Sequence, residues 1–165
     1  MPELRTAAGP LVNNRRAIAG LSILSATVLG GIALFQVGIL KHLPDPPWPA
    51  FDADAVHGSP EAYRLLGTPD ALLGMASYSV TACLAAMGSA DRGRACWIPL
   101  AMGAKTAADA AMAIRLGLKQ ATQFRKYSIW SLLVTASTLG ALALAIPEVI
   151  HARRATLVPP TLPTL

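Results

Sequence analysis

Hydrophobic positions along the chain fall into long runs, and the charged residues are gathered between them. No Asp, Glu, Lys or Arg occurs in residues 17–40, 71–90 or 127–147. At 1.5 Å per helical residue, each run is long enough to cross about 30 Å of hydrocarbon. The pattern therefore predicts membrane helices at about 17–40, 71–88 and 127–146.

A fourth apolar segment, at about residues 95–117, contains two charges in its middle. Lys105 and Asp109 are four residues apart, so on a helix their side chains share one face and can pair. Ionisable groups within a membrane are costly and are often functional. One interpretation is an ion or proton site, and the other is a self-neutralising pair that faces a neighbouring helix.

The segment between the first two predicted helices is the only long loop. Its start carries four prolines, which exclude a helix there. Ser59, Pro60 and Glu61 then provide an N-cap, a proline at the first helical position and an acid in the first turn, so we expect a short helix at 59–66. Thr68-Pro69-Asp70 repeats the same start signal for the next helix.

Together these elements predict an all-α integral membrane protein. We expect a single four-helix transmembrane bundle over residues 1–150, with a long extracytoplasmic loop that carries the short helix. Residues 1–14 and 151–165 are rich in turn-forming residues and should be mobile tails.

Composition agrees with a membrane location. Hydrophobic residues make up 53% of the chain, charged residues 14%, and the mean hydropathy is +0.47. The net charge of +5 is placed at helix ends, where it sets topology, so nucleic acid is not an expected partner. The pair Arg15-Arg16 favours cytoplasmic termini. The expected partners are membrane lipids and other membrane-protein subunits.

Two segments carry a family resemblance. Gly67-Thr68-Pro69 followed by Leu72-Leu73-Gly74, and the segment from Arg125 to Leu132 (Arg-Lys-Tyr-Ser-Ile-Trp-Ser-Leu), resemble the bacterial branch of the vitamin K epoxide reductase family over about residues 17–150. The resemblance implies a four-helix bundle in the bacterial inner membrane. It also implies a quinone beside a Cys-x-x-Cys pair at the start of the last helix, and a second Cys pair in the outer loop.

The chain departs from that pattern at the redox positions. Ser128 and Ser131 fall where the resemblance implies the Cys pair, and residues 41–70 contain no Cys. A hydroxyl cannot form a disulfide or carry thiol redox chemistry. Cys83 and Cys96 lie elsewhere and are expected to be small buried hydrophobic residues. The sequence thus identifies no catalytic residue, and whether the chain is an enzyme is left open.

The resemblance also suggests a pocket for a quinone or a lipid. Its expected lining is Asp70, Leu73, Ser128, Ser131 and Thr135, under a lid of Tyr63 and Leu66. Asp70 and Thr135 fall where the family places hydrogen-bond donors to the quinone, although neither is the expected residue type. The two serines could equally bond back to helix carbonyls. Because the chemistry is lost, we expect Tyr127 and Trp130 to fill the pocket, or a lipid to occupy it.

Two functions remain compatible with these residues. The favoured one is a non-catalytic accessory or structural subunit of a larger membrane complex, or a protein that binds a lipid or quinone. The alternative is a quinone-linked oxidoreductase that works without the thiol pair. His42, His57 and His151 are dispersed along the chain and lack metal-ligand spacing, so no metal site is predicted.

Overall fold

The computed structural model describes residues 3–65, 67–88, 92 and 95–157. Its elements are α1 (Glu3–Thr6), α2 (Pro10–Gln36), α3 (Ala53–His57), a 3-10 helix (Pro60–Tyr63), α4 (Asp70–Ala86), α5 (Trp97–Lys119), a π-helical turn (Gln120–Phe124) and α6 (Ile129–Leu157). Within the described residues, the one β-type pairing is an isolated bridge between Phe51 and Tyr127. The all-α prediction is therefore confirmed.

Four long helices pack against one another around two apolar clusters. Helix α2 lies along both α4 and α6, and α6 also packs against α5, whereas α4 and α5 contact each other much less. We call the end that carries residues 37–69 the loop end, and the opposite end, near Arg15 and Ala86, the terminal end. One cluster, around Ile32 and Val134, lies toward the loop end, and the other, around Ile18 and Met102, lies toward the terminal end.

The first long helix begins earlier and ends earlier than predicted. Pro10 occupies its first turn, where a proline costs no hydrogen bond, and Gly38, with φ of 80°, follows its end. The prediction of a mobile segment at 1–14 is therefore wrong for α1 and for the first turns of α2, and residues 1 and 2 lie outside the described part of the chain. The start of this helix was predicted too late because a helix was expected to begin after the last charged residue. Arg15 instead lies within the helix and is only 1% exposed.

The last helix continues well beyond its predicted end. Pro147 lies inside α6, and the helix runs on to Leu157. Ala152 is buried, so this extension packs against the rest of the molecule. The predicted flexible tail is thus wrong for residues 151–157, and its remaining residues, 158–165, lie outside the described part of the chain.

The long loop is more ordered than its prolines suggested. Asp52 caps α3, an unpredicted helix, by accepting a hydrogen bond from Ala55 N at 2.9 Å. Asp54 accepts a hydrogen bond from Leu43 N at 2.8 Å, and Asp45 accepts one from Ala53 N. The helix predicted at 59–66 is the short 3-10 helix Pro60–Tyr63.

Two helices are long and apolar enough to cross a membrane by length and composition: α2 and residues 129–156 of α6. Helix α4 is apolar but shorter. Large hydrophobic side chains such as Ile23, Leu118 and Ile146 lie exposed on the outside of the packed helices. An exposed apolar surface of this kind suits contact with lipid rather than water.

Candidate functional site

A cavity of about 680 Å³ lies at the loop end, in the gap between α4 and α5. Helices α2 and α6 form its back, and residues around α3 and the 3-10 helix lie over it. Its walls are mainly apolar and include Leu29, Ile32, Leu73, Met112, Leu116 and Val134. A volume of this size suits a drug-sized ligand.

The expectation that Tyr127 and Trp130 fill this space is wrong. The Trp130 indole Nε1 donates a hydrogen bond to the Pro44 carbonyl at 2.9 Å. The Tyr127 ring lies near the Phe51 ring, with 6.4 Å between ring centroids. Both aromatic side chains are drawn toward the long loop, and neither lines the cavity.

The two serines at the start of α6 converge on one histidine. His57 Nε2 lies 3.1 Å from Ser128 Oγ and 3.2 Å from Ser131 Oγ. Ser131 and His57 line the cavity, whereas Ser128 is completely buried behind them. Ser128 therefore belongs to the support of the site rather than to its lining, contrary to expectation.

Burial keeps the His57 imidazole neutral. It lowers the pKa of His57 to about 4, and the negative charges of Asp70 and Asp54 oppose that change only in part. A neutral imidazole has one N–H donor and one acceptor nitrogen. Nε2 can thus either accept a hydroxyl proton or donate to a serine oxygen, and either arrangement orients the Ser131 hydroxyl.

Gln36 joins the loop to the start of α4. Its Nε2 donates to Asp70 Oδ1 at 2.7 Å and to the His57 carbonyl at 3.3 Å, while its Oε1 accepts from Ala71 N at 3.3 Å. The Tyr63 hydroxyl donates to the Gln36 carbonyl at 2.7 Å. This network fixes the Asp70 carboxylate at the edge of the cavity.

The structure brings together most of the predicted pocket residues. Asp70, Leu73, Ser131 and Thr135 line the cavity. Of the predicted lid, Tyr63 is turned toward Gln36, and Leu66 lies outside the described residues. The neighbouring Ala62 and Leu65 line the cavity instead.

Lys105 and Asp109 form an ion pair beside the deep end of the cavity. Lys105 Nζ lies 2.6 Å from both Asp109 carboxylate oxygens and donates to Ser77 Oγ at 2.8 Å. The Ser77 and Thr81 hydroxyls each donate to Asp109 at 2.9 Å. Asp109 and Ser77 line the cavity, so the pair places a carboxylate and a hydroxyl at its inner wall.

The cysteines lie far from this site. Cys83 is thirteen residues beyond Asp70 on α4, about 20 Å along the helix axis. Cys83 is exposed and Cys96 is partly exposed, and neither forms a disulfide, so the expectation that both are buried is wrong. No cysteine is among the cavity-lining residues.

The described residues offer no group of three His, Cys, Asp or Glu side chains placed to hold a metal ion. Polar groups near the start of α6 that line the cavity and could contact an organic ligand include the hydroxyls of Ser131 and Thr135, the His57 imidazole and the Asp70 carboxylate. A mostly apolar cavity with a few convergent polar groups is typical of sites for organic ligands and cofactors.

A comparison with curated proteins gives no match for this chain. The family model described as "Vitamin K epoxide reductase family" matches residues 16–146, which is more than half of the chain. The matched region contains α2 from Arg16 onward, α4, α5 and the first half of α6, together with the long loop and every cavity-lining residue. The resemblance seen in the sequence is confirmed: the chain belongs to the vitamin K epoxide reductase family and is a membrane protein of that type.

Proposed function

We propose that this protein binds an amphiphile, a quinone or a lipid, in the loop-end cavity and carries out no thiol-disulfide chemistry. The observation that carries the proposal is the cavity itself, whose walls are mainly apolar and carry a few polar groups without a cysteine among them. In this proposal the protein is a binding component or an accessory subunit of a membrane complex. Other membrane-protein subunits are its expected partners.

The polar groups around Ser131 and His57 can hold a carbonyl oxygen of the ligand. When Ser131 donates its hydroxyl proton to a ligand, its own oxygen is left to accept a hydrogen bond from His57 Nε2, 3.2 Å away. His57 thereby orients Ser131, and Ser128 holds His57 from the buried side. The Thr135 hydroxyl offers a second donor, so a ligand with more than one oxygen would be held at two points.

The serines argue against the redox reaction that the family resemblance implies. Disulfide exchange needs a thiolate nucleophile, and a Ser hydroxyl cannot replace it. Replacing both Ser128 and Ser131 by Cys should not give turnover with a thiol partner, because residues 41–70 still lack a relay pair. Robust thiol-dependent turnover by the unmodified protein would contradict this part of the proposal.

Four membrane crossings with cytoplasmic termini, in a bacterial inner membrane, form the topology that we propose. The exposed Arg16, Arg153 and Arg154 at the terminal end support it, since basic residues favour the cytoplasmic side. Single cysteines at the exposed positions Ala50 and Ala155, in a background without Cys83 and Cys96, test it. A membrane-impermeant thiol reagent should label only one of them in sealed vesicles, and labelling of both would contradict the topology.

Ligand binding is tested by gentle detergent extraction followed by quantification of bound quinones and lipids. The unmodified protein should carry about one ligand per chain, and Ser131→Leu, which replaces a hydroxyl of the cavity wall by a bulky apolar side chain, should lose it while remaining folded. Ala136→Leu adds the same bulk on an exposed face of α6 and is the matched control. Equal ligand content in all three proteins, or none in any of them, would contradict the proposal.

The same purification separates the binding component from the alternative. An accessory subunit should be isolated together with larger membrane proteins, whereas a quinone-linked oxidoreductase working without thiols should be isolated alone with its quinone. The absence of any companion protein in native-membrane purifications, with quinone turnover, would favour the alternative.

A further inference from the structure

The mouth of the cavity carries an excess of positive charge. Glu61, Arg64, Arg115 and Lys119 all line it, so three cations stand against one carboxylate. Lys119 Nζ forms an ion pair with Glu61 Oε2 at 2.6 Å. This ion pair joins the 3-10 helix to the end of α5 and leaves Arg64 and Arg115 as the other two cations.

The other two cations have no such partner. Within the described part of the chain, the guanidinium groups of Arg64 and Arg115 form neither a hydrogen bond nor an ion pair, and both side chains are exposed. Arg64 is three residues from Glu61, and Arg115 precedes Lys119 by one turn of α5, so both arginines flank the Glu61–Lys119 ion pair. Both line the same cavity, and their charges add to the larger effects of the hydrogen bond and charge of Lys119 in lowering the pKa of Glu61.

The remaining carboxylates of the cavity are held by other groups. Gln36 binds Asp70 at the α4 side of the cavity, and Lys105 neutralises Asp109 at its deep end. Neither of these carboxylates forms an ion pair with Arg64 or Arg115. An incoming anion would meet Arg115 on α5 and Arg64 on the segment that follows the 3-10 helix.

Below these cations the cavity opens sideways between α4 and α5. The apolar residues at this opening are partly exposed: Leu73 by 39%, Met112 by 53% and Leu116 by 44%. An apolar edge under a cationic rim matches the shape of an amphiphile that lies in a membrane, with its chain in the cavity and its head group at the rim. Such a ligand could enter directly from the lipid.

We propose that the occupant of the cavity is an amphiphile with an acidic head group, a phosphate or a carboxylate, bound by Arg64 and Arg115. The inference rests on the proposed binding function and names the chemical class of its ligand. Guanidinium groups suit this role because they remain charged and can bind two oxygens of one phosphate or carboxylate at once. The apolar chain of the ligand would contact Leu73, Met112 and Leu116.

The test uses the full-length protein in detergent, equilibrated with equal amounts of phosphatidylglycerol and phosphatidylcholine of the same chain length. Native mass spectrometry then counts the bound lipids. We expect the unmodified protein to prefer phosphatidylglycerol by about tenfold, as charge-assisted hydrogen bonds to one head group would give. The double variant Arg64→Gln/Arg115→Gln should lose this preference.

The matched control is Lys41→Gln/Arg125→Gln. It removes two exposed positive charges that lie at the loop end but do not line the cavity, so it should keep the preference. Competition with millimolar inorganic phosphate separates the two sources of an anion. A lipid anchored by its chain should stay bound, whereas displacement by phosphate would show a simple anion site and overturn the proposal.

Other results also decide the matter. Retention of the preference in Arg64→Gln/Arg115→Gln, or its equal loss in the control, would overturn the assignment of the head-group site. If a neutral quinone binds stoichiometrically and phosphatidylglycerol shows no preference, only this inference fails. If Ser131→Leu changes the binding of neither lipid nor quinone, the proposed function fails with it.

Discussion

Within the described residues, the loop end and the terminal end of the molecule both enclose polar side chains, and the large cavity lies beside those of the loop end. At the terminal end, Arg15 donates from Nε to the Ala85 carbonyl at 3.1 Å and from Nη2 to the Met87 carbonyl at 2.8 Å. Arg92 donates to carbonyls of the same helix end and pairs with Glu148 at 3.2 Å. Both guanidinium groups there are bound by carbonyl or carboxylate groups of the protein itself.

This comparison shows that a buried charged side chain does not by itself indicate a ligand site. The last carbonyls of a helix have no partner within it, and two guanidinium groups supply the missing donors for α4. Arg15 and Arg92 are 1% and 6% exposed, so these two helix-end cations contact the protein interior rather than lipid head groups. At the loop end, neutral groups such as Ser131 and His57 surround a cavity, and they remain available to a ligand.

The largest expected effect comes from breaking the terminal end. Arg92→Leu leaves the buried Glu148 without its ion-pair partner, and we expect the free energy of unfolding in detergent to fall by on the order of 3–5 kcal/mol. Arg92→Leu combined with Glu148→Leu should recover part of the loss. Arg154→Leu, on an exposed position, is the control. A loss below about 1 kcal/mol for Arg92→Leu would show that the pair does not hold this end closed.

Breaking the ion pair beside the cavity should lower the free energy of unfolding somewhat less. Asp109→Ala leaves the Lys105 ammonium with only hydroxyl partners, and we expect a loss on the order of 3 kcal/mol in thermal or chemical unfolding. The combination of Lys105→Met with Asp109→Leu should lower the melting temperature less than Asp109→Ala alone. Small and equal effects of Asp109→Ala and of Lys105→Met alone would indicate that both groups are in contact with water.

Acid should weaken the loop end selectively. Because burial lowers the pKa of His57 from 6.5 to about 4, the unfolded chain binds this proton more readily than the folded one. The stabilisation is complete above about pH 6.5 and is lost as the pH falls toward about 4, by at most on the order of 3 kcal/mol. His57→Gln should flatten the pH profile of unfolding, and His151→Gln, which removes an exposed histidine on the extension of α6, is the control. Identical profiles for both variants would argue against a buried neutral His57.

The smallest effect distinguishes two serines of one helix turn. Ser128 is completely buried, so Ser128→Leu should overpack the structure and cost roughly 1–3 kcal/mol in unfolding measurements. Ser131 faces the cavity, so Ser131→Leu should cost less and act mainly on ligand content. Equal destabilisation by the two changes would mean that the cavity is not open in solution.

Features that depend on residues close together in the sequence could be predicted from the sequence. The charge-free runs located three of the long helices, although the ends of α2 and α6 were wrong because Arg15 and Glu148 are buried inside the protein. The pairing of Lys105 with Asp109 follows from their spacing of four residues on one helix. The two short family segments were enough to identify the family.

Only the tertiary structure determined the site itself. His57 meets Ser128 and Ser131 across more than seventy residues, because the loop is folded back by its own aspartates onto the start of α6. The spacing of residues along the sequence gives no sign of such a contact. In the sequence, His57 is therefore only one of three dispersed histidines. The cavity likewise exists because α4 and α5 stand apart at the loop end, and the distance between two helices is fixed by what packs around them rather than by either sequence alone.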